Sequence, residues 1–191
     1  MADKDIIAER GRSLEDEYFR RKDKELIENM RRATTSAAAR VEMGKRTGLT
    51  DPGLQRELEA LGFTPETVIL LPLMPVLQMA WAEGEVTPAE HRLVVKLARA
   101  RGIQEGGAAD LQLLDWLDHR PGEEVFTHAT RLIRALLVAG GDAALTADDL
   151  VKHCEAVAAA SGGMLGILGR VSAEERQLLT ALAAELRGRT T

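Results

Sequence analysis

LLPLMPVLQMAWAEGEVTPAEHRLVVKLA, residues 70–98, decides how this chain folds. An apolar helix runs through it as far as Trp81 and breaks at Glu83-Gly84-Glu85. A second helix restarts at Thr87, which serves as N-cap with Pro88 at the first helical position. Glu90 stands at N3, and the pair completes a capping box. Pro72 and Pro75 lie inside the first helix, where each removes a backbone donor, so the spacing predicts a kink or break there.

The same punctuation continues outward. Pro52–Leu61 reads as a short helix stopped at Gly62, and Thr64-Pro65 as the start of the apolar helix. The Thr87 helix ends near Gly102. Leu111, Leu114 and Leu117 recur at helical spacing between Gly106 and His119, and Pro121-Gly122 closes that segment. Glu123–Ala139 carries a fuller apolar stripe and stops at Gly140-Gly141. Thr146 caps a helix to Ala160. Ser172, with Glu175 at N3, caps a last one to about Arg187.

Val86-Thr87-Pro88-Ala89-Glu90 aligns with Val171-Ser172-Ala173-Glu174-Glu175 at a constant offset of 85, which also pairs Gly84 with Gly169, Leu93 with Leu178 and Leu97 with Leu182. Any two capped helices share some of this pattern; the alternative is a pseudo-duplicated domain with its two turns in equivalent places. The apolar helix, the glycine turn and the capped helix that follows resemble the tellurite-resistance TerB-like superfamily, which includes the N-terminal domain of certain membrane-anchored DnaJ co-chaperones. The resemblance covers about residues 49–190. It implies a helical binding and scaffold fold. The expected fold class is therefore all-α: a compact TerB-like domain of about seven helices with an internal pseudo-repeat, residues 49–191, preceded by a long charged N-terminal helix, residues 1–48.

Composition agrees with helices. Aromatic residues make up 3% of the chain, and strands favour aromatic and β-branched side chains. The net charge is −5, distributed unevenly: residues 1–48 hold 12 Lys/Arg and 10 Asp/Glu, while the remainder holds 13 and 20. An acidic body argues against a nucleic-acid binder, which needs a basic face. The single cysteine, Cys154, excludes an intrachain disulfide and fits a reducing, cytoplasmic setting, where it is expected as a small buried hydrophobe. The opening residues lack the apolar core of a signal peptide. The apolar run Val68–Leu77 is too short for a membrane span.

Residues 3–43 read as one helix with interleaved charges and a thin apolar stripe, broken by Gly44 and the glycine-proline segment 48–53. Such a helix projects, pairs with a second copy, or lies on the body. Glu15-Asp16-Glu17-Tyr18-Phe19-Arg20-Arg21-Lys22 within it resembles the mitochondrial ATPase inhibitor family. That resemblance implies partner contacts through Glu17, Tyr18, Phe19, Arg20 and Lys22 and regulation of a rotary ATPase. A solvated charged helix is the alternative.

Glu83, Glu85 and Glu90 cluster about a glycine turn and could hold a divalent cation such as Ca²⁺ or Mg²⁺. Alternatively, Glu90 caps its own helix and the other two solvate the turn. The repeat offers Leu168 and Arg170 instead of acids at its second turn. His153 and Cys154, adjacent on a helix, point about 100° apart and suit shared ligation poorly. Asp115 and His119 read as a surface pair. The glycine-rich stretch 161–169 lacks the Lys-Ser/Thr ending of a phosphate loop. Its Met164 and Leu165 either dock on the body or meet a partner. No nucleophile–base pair or ligand cluster emerges. The expected function is non-enzymatic: an interaction or scaffold protein, tied to stress response through the TerB-like resemblance, with protein partners and no resident cofactor.

Overall fold

The computed structural model describes residues 36–140, 146–161 and 171–188. The chain divides into two units, Met1–Ala39 and Arg40–Thr191. Among the described residues there are eight α-helices, one 3-10 helix and no strand. They are α1 (36–47), α2 (Pro52–Ala60), the 3-10 helix (Val68–Leu73), α3 (Met74–Ala80), α4 (Pro88–Ala100), α5 (Ala108–Asp118), α6 (Glu123–Ala139), α7 (Ala147–Ser161) and α8 (Ala173–Leu186). The all-α expectation holds. No helix among the described residues is long and apolar enough to cross a membrane.

Helix α3 is the hub. Met74, Pro75, Val76, Leu77, Met79 and Ala80 are all buried, so it presents apolar surface on every side and must be enclosed. Helices α4, α6, α7 and α8 pack around it. Each fully buried Leu or Met contributes roughly 1.5–3 kcal/mol relative to its exposed state. From α7 come Leu150, Val151, Cys154, Val157 and Ala158, and from α6 Phe126, Ala129, Leu132 and Ile133. Cys154 is fully buried, as expected of a small hydrophobe.

The helix expected from Thr64 does not form as one piece. Thr64 and Thr67 bond each other instead: the Thr64 N–H donates to Thr67 Oγ1 (2.8 Å) and the Thr67 N–H to Thr64 Oγ1 (3.3 Å). These bonds have the pattern of a capping box, and the Val68 N–H donates to the Thr64 carbonyl (2.9 Å), so Thr64 does open a helical turn. The chain then enters the 3-10 helix, with Pro72 inside it, and α3 begins only at Met74, with Pro75 in its first turn. The break therefore falls where the two missing N–H groups sit. After Trp81 the chain turns through Gly84, whose φ of +89° is the left-handed conformation glycine adopts without strain.

The division between the two units lies at Ala39/Arg40, and α1 continues through Gly44 to residue 47. Met43 is fully buried, and Arg40 Nη1 donates to Glu59 Oε2 on α2 at 2.7 Å. Gly44 serves close approach here. A Cβ at that position would lie 2.7 Å from the Leu49 carbonyl oxygen and 2.2 Å from Gln55 Nε2, which itself donates to that carbonyl. Gly44→Ala must therefore displace backbone as well as a side chain. It is expected to lower stability by about 1–3 kcal/mol, despite alanine's better helix propensity, as read from urea denaturation midpoints. A second tie joins α2 to α6, where Glu57 accepts from Arg131 and pairs with His128 Nδ1 at 2.6 Å.

Candidate functional site

The two capping boxes predicted at an offset of 85 both form. Thr87 Oγ1 accepts from the Glu90 N–H (3.3 Å), and Glu90 Oε2 accepts from the Thr87 N–H (2.8 Å) and hydroxyl (2.7 Å). Ser172 Oγ accepts from the Glu175 N–H (3.1 Å), and Glu175 Oε2 accepts from the Ser172 N–H (2.6 Å). Both glutamates are buried. Gly169 lies outside the described residues.

Burial raises the Glu90 carboxyl above its ordinary 4.5, against the Thr87 bonds that favour the charged form, and the Glu175 and Glu83 charges push the same way as burial. A raised carboxyl binds its proton more readily when folded. Its contribution to stability is fully present below the ordinary value and is lost as pH rises through the folded one. Glu90→Gln keeps an acceptor for the cap and removes the charge. It is expected to be more stable than the parent at pH 7, with the gain shrinking toward pH 4. Thr87→Ala, which loses the cap, should cost about 1 kcal/mol. Thermal melts of both variants across that pH range check the sign.

The structure places the acids Glu83, Glu85 and Glu90 apart: one is buried and two are exposed. Among the described residues no group of three or more His, Cys, Asp or Glu side chains is placed to hold a metal ion. The physical reason is that Glu90 turns inward to cap α4, while Glu83 and Glu85 stay exposed on the turn. Asp115 and His119 are a solvent-exposed pair, 3.2 Å apart. Glu17, Tyr18, Phe19, Arg20 and Lys22 lie outside the described residues, as do Met164 and Leu165.

The feature that sequence reasoning missed is a cavity of about 710 Å³. Its walls come from the end of α1, the 64–67 turn, the 3-10 helix, the end of α4, α6 and α7. Val68, Leu71 and Leu136 are its buried apolar lining, with Leu97 and Pro72 half-buried. Ile69, also in the lining, is one of four large apolar side chains exposed among the described residues, at 42%. Three nitrogen-bearing side chains join them: Arg46, Arg101 and His153. Arg46 is held by Glu42 through Nε (3.1 Å) and donates from Nη1 to the Pro65 carbonyl (2.8 Å), which fixes its guanidinium beside the 64–67 turn.

The chain matches no family model, no curated protein and no solved structure.

His153 Nδ1 is the one buried side-chain nitrogen or oxygen without a hydrogen-bond partner among the described residues. Burial, helped by the Arg101 charge, holds the imidazole below its ordinary 6.5, against the opposing pull of Asp149. The ring is therefore neutral at pH 7 and can both donate and accept. The expected divergence of His153 and Cys154 is what the structure shows: the thiol enters the core and the imidazole lines the cavity. Little in the sequence marks this convergence, because its members lie on five separated segments. The available hint is Ile69, an apolar residue that the packing of the 3-10 helix leaves exposed.

Proposed function

We propose that this chain is a non-enzymatic binding protein whose helical body holds the cavity beneath Ile69 open to a ligand, and that holding the ligand is its biochemical act. The observation that carries the reading is the cavity. Its volume falls in the range of small-molecule sites, roughly 300–1,000 Å³, and it has the make-up of such sites, mostly apolar with a few polar groups. The reading keeps the character that the TerB-like resemblance implies, a helical platform for interaction, and with it the proposed cytoplasmic setting, stress-response role and protein partners.

The neutral apolar dye Nile red tests it. One saturable site per chain is expected, read by fluorescence. Leu97→Trp places an indole in the cavity from a half-buried position, and should abolish that site while leaving the helical circular dichroism and thermal midpoint close to the parent's. Undiminished dye binding by a folded Leu97→Trp protein would contradict the reading.

A further inference from the structure

We infer that His153 is an acid-sensitive latch on the packing of α7 against α4: its neutral imidazole fits the place the fold gives it, and a second ring proton loosens α7 from the end of α4. The latch belongs to the helical body itself and stands whether or not the cavity takes a ligand.

The two ring nitrogens of His153 have different surroundings. Nδ1 is buried and has no hydrogen-bond partner among the described residues, whereas Nε2 is not closed off in this way. The neutral ring suits both places by carrying its one proton on Nε2 and leaving a bare lone pair at Nδ1. Protonation puts an N–H at Nδ1, where no acceptor is placed to receive it. A buried donor without an acceptor forfeits the bond it had to water, and here the donor also carries charge.

Neighbouring charges act in the same direction. The charged side chains that share the cavity with His153 are Arg46, Glu66 and Arg101. Arg46 is ion-paired with Glu42, and Glu66 is exposed. Arg101, the C-cap of α4, keeps its positive charge whatever it bonds, and that charge opposes a second one on the ring. Asp149, one turn earlier on α7, pulls the other way. Its carboxylate, however, already accepts from the Thr146 hydroxyl at 2.6 Å and lies 3.7 Å from Lys152 Nζ. Helix α3, which also packs on α7, carries no charged residue. Helix α8 meets α7 along Val151 and Glu155, about 200° round the helix from His153. The proton would thus sit on α7 and the opposing guanidinium at the end of α4, so the cost falls on the contact between those two helices.

The sign follows from the burial and the Arg101 charge, which hold the imidazole below its ordinary 6.5. As pH falls, the unfolded chain takes up this proton first. The stability that His153 contributes is therefore full above 6.5 and is lost as pH falls through the folded value. Glu90, whose carboxyl is raised, works in the opposite direction, so it cannot imitate the effect.

Urea denaturation and amide hydrogen exchange of the full chain at pH 7.5 and pH 5 test the latch, with His153→Gln as the reference that takes no proton. Between these conditions the unfolding equilibrium constant of the parent should rise, relative to that of His153→Gln, on the order of five-fold. Arg101→Gln should shrink this difference by relieving the repulsion. In the parent at pH 5 the α7 amides should lose protection before those of α2 and α5, and His153→Gln should retain it. The NMR titration of the His153 ring in the parent needs no variant, and its midpoint should lie below 6.5. An identical pH dependence in the parent and a folded His153→Gln would overturn the inference. A ring that titrates at or above 6.5 would do so too, as would protection lost evenly over all the helices.

Discussion

Alkylation of Cys154 in the folded protein should run about a thousand-fold slower than in the unfolded chain at the same pH. The thiolate is the reacting form, and burial, with a smaller push from the Glu155 charge, raises the thiol from its ordinary 9.0 to about 12. Three pH units of suppression correspond to that factor in thiolate, before the exclusion of reagent from a fully buried atom is added. Cys154 lies on α7, which packs against α3, α4 and α8, so reagent reaches it when that cluster opens. Its labelling rate therefore sets an upper bound on how often that cluster opens. Rapid, stoichiometric modification under native conditions would mean that α7 does not occupy the place described.

The second large effect concerns Asp110. Its carboxylate is 2% exposed and joins α5 to the end of α4. Oδ1 accepts from Arg99 Nη2 at 2.7 Å, and Oδ2 accepts from the Gly106 N–H at 2.8 Å. Arg99 also donates from Nη1 to the Ile103 carbonyl (3.1 Å), so one arginine–aspartate pair fastens the whole 101–107 connection. Removing the acid leaves a backbone donor and a half-buried guanidinium without their acceptor. Asp110→Ala is expected to cost about 3 kcal/mol, a shift of roughly 6–12 °C in Tm for a chain of this size.

The pH dependence carries a sign. The Gly106 N–H bond first, and then Arg99, hold the Asp110 carboxyl below its ordinary 3.8. A depressed carboxyl stabilises the fold above the ordinary value and loses that contribution as pH falls through the folded one. The stability gap between the parent and Asp110→Asn should therefore be full at pH 7 and close only in strong acid. That trend is opposite to the one expected at Glu90. Denaturant titrations of the two variants at a few pH values would read both.

Residues that act locally were the legible ones. Thr87 and Ser172 announce their helices because a capping box is satisfied within four residues, whatever the rest of the chain does. Glu123–Ala139 is helical over the span its stripe and flanking glycines predict. The misreadings involve partners supplied by neighbouring segments. Thr64 does accept from the Thr67 N–H as a cap would, but the turn it opens leads into a 3-10 helix, and the α-helix starts only at Met74, beside the two prolines. Gly44 looks like a breaker, but it lets α1 pass close to the Leu49 carbonyl. Glu83, Glu85 and Glu90 look like a cluster in sequence, but the cap turns one of them inward. The cavity was the least legible feature, because Arg46, Arg101 and His153 come together only when α1, α4 and α7 are packed.

Methyl-detected NMR of the full chain during titration with Nile red tests the central claim most directly. Shift changes that saturate together at Val68, Ile69, Leu71, Leu97 and Leu136 are the predicted result. Changes centred instead on Val151, Leu179 and Leu186, which line two smaller grooves elsewhere on the body, or spread evenly over the core methyls, would contradict it.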